Sequence, residues 1–248
     1  MLFRSQTAIM KSYGQFCAIA KALEVVGERW TPLVLRELIC GSSRYNEIQR
    51  GVPRISPALL SKRLSDLERA GVIERNGKTG AYALTRAGWE LKPVIEQLGV
   101  WGERWVRGRL NEEDLDPDLV MWDMRRRIDL KIFPRKRTCL EFDFIDRPDS
   151  KRRYWLVGDR NGLELCINEP GYPVDLYITT DTRTMTLVWN GDLPLRGTID
   201  DGGIELHGPT DLCRAFPKWL LLNPFAGVPP AADAARLRRL ARSQRRSK

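Results

Sequence analysis

The stretch RISPALLSKRLSDLERAG, Arg54 to Gly71, contains the start, the buried stripe and the stop of one helix. Ser56 is a good N-cap, and Pro57 suits the first helical position, where a missing N–H costs nothing. Gly71 falls where a left-handed residue would end the helix. Leu60, Leu64 and Leu67 recur at i, i+4 and i+7, so one stripe faces a core. The opposite face carries Ser56, Pro57, Ser61, Lys62 and Ser65, with no acid before Asp66. A helix that opens on small side chains can enter a major groove closely, its first residues at base edges and its cation on phosphate. An ordinary surface helix would show the same stripe. The neighbouring sequence decides between them.

Upstream, CAIAKALEVV at 17–26 reads as a short helix with Ile19, Leu23 and Val26 on one face, closed by Gly27. Thr31 and Pro32 repeat the cap-then-proline start, and Leu35, Leu38 and Ile39 supply an apolar face up to Gly41. A third helix runs from about Tyr45 to Arg50, and GVPRI turns into the helix above. Three helices joined this way make the core of a helix-turn-helix domain. Downstream, Val72–Arg75 and Ala81–Leu84 read as a hairpin whose Asn76-Gly77 signals a turn, with Lys78 in the loop. A hairpin directly after such a helix is a wing that can lie along phosphate. Thr85 then caps a long helix with Leu91, Val94, Ile95, Leu98, Trp101 and Trp105 on one stripe to about Arg107, and Pro93 should kink it. The tri-helical core is too small to cover that stripe. A homodimer seam, or docking onto a second domain, would cover it, and a two-fold protein suits a two-fold operator.

The 248 residues leave room for two domains, each with its own core. The net charge of +9 favours a polyanionic partner, and its distribution is uneven. Lys and Arg number 16 against 10 Asp and Glu over 1–105, 18 against 21 over 106–230, and 7 against 1 over 231–248. The basic excess therefore lies in the first segment and the tail. The five cysteines form no CxxC pair and His207 is the lone histidine. That argues against a zinc site and against His acid–base chemistry. There is no nucleophile–base pair and no phosphate-cradling glycine loop, so no enzyme, no catalytic residue, no metal and no cofactor is expected. An odd, scattered cysteine set suits a reducing cytoplasm. No apolar run approaches the roughly 20 residues that span a bilayer, so no membrane partner is expected.

CAIAKALEVVGERWTPLVLREL, SSRYNEIQRGVPRISPALLSKRLSDLERAGVIER and YALTRAG together resemble the HxlR-type winged-helix transcriptional regulators over about residues 14–105. The resemblance implies a dimeric, cytoplasmic regulator that binds double-stranded DNA at palindromic operators. It implies that Arg44 and Tyr45 help anchor the backbone, that Ser56, Pro57, Ser61 and Lys62 face the groove, and that Lys78 lies on the wing. Tyr45 reads equally as a core aromatic, and Arg44 and Arg54 as solvated charges or phosphate contacts. Cys17 falls where that family commonly carries a cysteine, which in some members senses oxidants or electrophiles, although Ala18 replaces the proline that often follows. Lys11 and Lys21 are near enough in sequence to lower a thiol pKa. An inert thiol buried in a dimer seam is the simpler expectation.

Residues 107–120 are charged and contain a proline, and read as a linker between a domain at 1–106 and one at 121–228, followed by a basic tail at 229–248. The RRR run at 125–127 reads as a solvated face. From about 138, TCLEFDF, RYWLVGD, LELCINE and VDLYITT alternate apolar and polar residues between turns. This predicts an antiparallel sheet with one buried face. A helix follows Asp181, GIELHG makes a further strand, and a last helix runs from about Thr210 to Leu222. The class is α+β: a winged helix-turn-helix domain, then an antiparallel-sheet domain with helices on one face.

The order within ITTDTRTMTLVWNGDLPLRGTIDDGGIELHGPTDLCRAFPKWL resembles a sterol carrier protein type two-like domain over about 120–225. That implies an apolar cavity for a hydrophobic small-molecule effector, lined by Tyr154, Trp155, Leu165, Leu176, Trp189, Phe216 and Trp219. The same side chains would equally fill a core. The alternatives to a regulator are a lipid-like ligand carrier or a thiol redox sensor acting through Cys17.

Overall fold

The computed structural model describes residues 12–106 and 110–231. The expectations for Lys11, for 107–109 and for the tail beyond 231 lie outside the described residues. The chain forms two compact units, Met1–Gln97 and Leu98–Lys248.

In the first unit α1 spans Ala18–Val26, α2 Thr31–Ile39, α3 Tyr45–Gly51 and α4 Pro57–Arg69. Strands β1 (Ile73–Arg75) and β2 (Tyr82–Leu84) pair antiparallel, with Glu74 opposite Ala83. Helices α2 to α4 and the hairpin share one core around Val34, Leu35, Ile48, Leu60, Leu64, Leu67 and Ile73. The three leucines of α4 are its buried stripe. Ser56 caps it, its Oγ accepting from the Leu59 N–H at 3.3 Å, and Gly71 takes a left-handed φ of +71°.

Two local readings are corrected. Thr31 is the first helical residue of α2 and not its cap; Trp30 precedes it with φ +79°. The wing turns at Asn76-Gly77 as expected: the Asn76 side chain closes the loop, accepting from the N–H groups of Lys78 and Thr79, and Gly80 takes a left-handed φ of +69°. The long helix after Thr85 is also not one kinked rod. It breaks into α5 (Arg86–Glu90) and α6 (Lys92–Trp101), and a π-helical turn continues through Gly102–Val106. Pro93 lacks the N–H that would bond the Trp89 carbonyl, so the ladder stops and restarts with proline in the first turn.

In the second unit α7 (Pro117–Arg125) starts inside the stretch read as linker. Asp116 caps it, and Val120, Met121, Trp122 and Met124 are buried. Strands β3 (Thr138–Phe144), β4 (Arg153–Asp159), β5 (Gly162–Cys166), β6 (Leu176–Thr180) and β7 (Ile204–His207) form one sheet in the order β5-β4-β3-β6-β7. Three of its pairings are antiparallel, but β3 runs parallel to β6, with Leu140 opposite Leu176. The sheet is mixed, not antiparallel throughout. Side-chain alternation is the same in either direction, so the pattern alone does not distinguish them.

Helices α8 (Thr182–Trp189), α9 (Leu195–Asp200) and α10 (Thr210–Trp219) complete the unit. Helix α9 lies between α8 and β7, where the sequence reading placed no element. The core gathers Trp122, Phe133, Phe142, Phe144, Tyr154, Ile178, Phe216 and Trp219. A smaller cluster of Cys139, Trp155 and Val157 lies outside that core, with Cys166 and Val174 packed against it. Among the described residues no helix is long and apolar enough to cross a membrane.

Candidate nucleic-acid interface

Burial of Leu60, Leu64 and Leu67 fixes the rotation of α4, because side chains three and four residues apart share a face. Ser56, Pro57, Ser61, Lys62 and Ser65 are all left exposed. The Lys62 ammonium, 63% exposed, lies 3.7 Å from Asp66 one turn on. Arg63 is on the other side: its guanidinium is nearly buried, donates to Glu28 at 2.8 Å and reaches Asp66 at 3.4 Å. The exposed face thus presents hydroxyls and one cation, while the second cation of the Lys62-Arg63 pair holds α4 to the Gly27–Trp30 turn.

The first turn of α4 is held from two sides. The Tyr45 hydroxyl donates to the Pro57 carbonyl at 2.8 Å, and the Gln49 amide donates to the Ile55 carbonyl at 2.8 Å. Tyr45 is half-buried against the core and acts as a strut, consistent with its reading as a packing aromatic.

Behind it lies a group that the sequence reading passed over. Glu37, in the middle of α2, is fully buried. Its carboxylate accepts from Ser42 Oγ at 3.0 Å and from Arg36 at 2.9 Å, and Arg36 also donates to the Gly51 carbonyl at 2.6 Å. A Cβ on Gly51 would sit 1.9 Å from that carboxyl group. Only glycine lets the turn close over the acid. The available signal was an acid flanked by Leu35 and Leu38 on an apolar face.

Arg44, Arg54 and Lys78 are exposed. Arg44 precedes α3 and donates its amide N–H to Glu47 at 3.0 Å; Arg54 precedes the Ser56 cap; Lys78 is at the tip of the wing. Cys17 is exposed as the residue before α1. Its thiol pKa is lowered by the backbone N–H groups of Ala20 and Ile19 at the helix start. Cys139 is the opposite case, buried, its pKa pushed up to about 11 by desolvation and by neighbouring Asp175.

Of the seven residues expected to line a ligand cavity in the second unit, Tyr154, Leu165, Leu176, Trp189, Phe216 and Trp219 pack into its main core. Trp155 belongs to the smaller cluster and donates its indole N–H to Glu141 at 3.0 Å. The Tyr154 hydroxyl donates to Asp118 at 2.8 Å, and burial raises its pKa. The RRR run is used in packing and not fully solvated: Arg125 stacks 4.0 Å from the Trp122 ring centre and Arg127 donates to the Leu222 carbonyl. His207 is exposed, 3.5 Å from Glu205.

A three-helix core, a capped helix with an exposed hydroxyl-rich face and a following hairpin define a winged helix-turn-helix. The signature of the family described as HxlR-like helix-turn-helix matches residues 25–109. The uncharacterized HTH-type transcriptional regulator YvaP of Bacillus subtilis is 34% identical over 91 residues, 35% of this chain and 84% of that one. An uncharacterized HTH-type transcriptional regulator of Methanothermobacter thermautotrophicus is 30% identical over 106 residues, 41% of this chain and 81% of that one. Among solved structures, the reduced form of the transcriptional regulator YodB from B. subtilis is 29% identical, covering 38% of this chain and all of that one, with a TM-score of 0.33. The chain belongs to the HxlR-like helix-turn-helix family and is a DNA-binding transcriptional regulator of that type.

Proposed function

We propose that this regulator reads a palindromic operator as a homodimer, with α4 of each copy in successive major grooves. The observation that carries this reading is the exposed, acid-free opening of α4. Ser56, Pro57, Ser61, Lys62 and Ser65 face solvent there, while Leu60, Arg63 and Leu64 hold the helix from behind. Ser61 and Ser65 reach base edges; Lys62, Arg44, Arg54 and the wing's Lys78 meet phosphate. The dimer is supported by large apolar side chains left in water on two helices: Ile19 and Leu23 on α1, and Val94, Leu98 and Trp101 on α6. Soluble chains rarely leave such side chains clustered without a partner.

The test is binding to DNA from the promoter region beside the protein's own gene, titrated against salt. Lys62→Ala lowers affinity and reduces the slope of log K against log salt by about 0.9, the change expected when one phosphate is no longer neutralised. Ser61→Ala leaves the slope unchanged and relaxes sequence preference. Unaltered affinity, slope and preference in both variants sinks the reading.

A second reading rests on Cys17, exposed at the start of α1 with its thiolate favoured by backbone N–H groups. In it, oxidation of Cys17 changes operator affinity. Equal loss of affinity under oxidant in wild type and Cys17→Ser removes it. A hydrophobic effector of the second unit extends the first reading: six of the seven residues named for it belong to that unit's main core and Trp155 to the smaller cluster, and it would act by binding the DNA-competent and incompetent dimers with different affinity.

A further inference from the structure

A helix packs against each edge strand of the five-stranded sheet, α7 against β5 and α9 against β7. Among the described residues β7 has a strand neighbour only on its β6 side. Beside it runs an open groove of about 780 Å³. Ile204, Glu205, Leu206 and His207 all line this groove. Successive side chains of a strand point to opposite faces, so a groove touching four consecutive residues follows the strand's edge and not one face. The far wall is one face of α10, where Thr210, Cys213, Arg214, Pro217 and Lys218 recur at helical spacing. Exposed edges are blunted by shortness, charged side chains, proline, a bulge or a covering helix. β7 is short and carries Glu205, but it has no lysine, proline or bulge, and its register with β6 is unbroken.

From this we infer that the β7 edge is a docking site for an extended acidic peptide of a partner protein, which adds to the sheet as a sixth strand. Alternate N–H and C=O groups of an edge strand point outward and give such a peptide its main-chain bonds. The partly buried Ile199, Leu206, Cys213 and Pro217 provide an apolar seat for alternate side chains. The charge of the occupant follows from the walls. Arg214 and Lys218, one turn apart on α10, and Arg196 on α9 are exposed and form no ion pair with any described residue. The acids on the lining, Asp200 and Glu205, lie on the α9 and β7 side, and Glu205 already faces His207. Acidic side chains of the peptide therefore turn towards α10. The chain's own tail does not suit the groove, since 231–248 holds seven cations and one acid.

The intact protein is screened against a phage-displayed library of random linear dodecapeptides, with the Arg214→Glu/Lys218→Glu variant as counter-screen. The expected consensus alternates aliphatic residues with Asp or Glu. A synthetic consensus peptide binds the variant about tenfold more weakly or worse. Methylating alternate backbone nitrogens of the peptide abolishes binding, and methylating the intervening ones does not. Both positions are exposed, and an unchanged thermal melt shows that the variant is folded. No enrichment over the counter-screen overturns the inference. So does a peptide indifferent to both the charge reversal and backbone methylation, or one that binds as a helix.

Discussion

The two units put their large apolar side chains to opposite uses. The second unit buries Trp122, Phe142, Phe144, Tyr154, Phe216 and Trp219 in one core. The first builds its core from aliphatic residues of α2 to α4 and leaves Ile19, Trp89 and Val94 in water. A side chain that its own chain does not cover points to something outside the chain. In the first unit that uncovered apolar surface is large, and the polar side of α4 belongs to the same unit. In the second unit the resemblance to a sterol carrier-like domain implied a cavity, and the aromatic residues named for it are buried in the unit's two clusters.

The largest effect expected from this contrast is on stability. Phe216 is fully buried between Phe142 and Trp219. Phe216→Ala should cost about 3–5 kcal/mol of the second unit's stability, because apolar burial is removed and a cavity is left behind. Denaturant unfolding followed by tryptophan fluorescence measures it. A cost below ~1 kcal/mol would mean that the site is already loose, as a ligand cavity would be.

The next effect falls on assembly. Leu98→Glu with Trp101→Glu places two carboxylates on the exposed face of α6. The pair should shift the oligomeric state towards monomer by about tenfold or more in dissociation constant, with the melting curve little changed. Sedimentation over a range of concentrations reads this directly. A dimer unaffected by both charges would place the seam elsewhere.

Smaller still is the cap. Ser56→Ala removes the acceptor for the Leu59 N–H and should cost about 1 kcal/mol. It should also loosen the first turn of α4, so DNA affinity falls together with stability. Calorimetry and a binding titration on the same variant separate the two.

The smallest energetic effect carries a distinct chemical signature. Cys17→Ser on the surface should change stability by no more than about 0.5 kcal/mol. In the wild type, however, Cys17 should alkylate with iodoacetamide well before Cys139. A lowered pKa raises the thiolate fraction at a given pH, so labelling of Cys17 begins at lower pH than for an ordinary thiol. Cys139, with its pKa raised to about 11, stays protonated through neutral pH and labels only on unfolding. Equal labelling rates at pH 7 would contradict this environment for Cys17.

Much of the first unit was legible because its signals are local. Ser56, Pro57 and Gly71 mark the ends of α4 by their own backbone chemistry, and the leucine spacing marks its inner face. The exposed groups of the candidate interface follow from that spacing alone. Glu37 was not legible, because its role depends on Gly51 fourteen residues away and on Ser42 across the turn. Pro93 was read as a kink because the apolar stripe continues beyond it, although the missing N–H interrupts the ladder.

The sequence by itself determined the elements whose cause lies within a turn or two of chain: the capped helix, the wing, the strands of period two, and the excess of positive charge at the two ends. Only the tertiary structure decided that β3 and β6 run parallel, that α7 belongs to the second core, and that β7 ends the sheet beside a cation-lined groove. Alternation records which face a residue takes and carries no information on which strand lies next to it or in what direction. That choice is made by how the loops return and by what the core can bury, and both are properties of the whole packed chain.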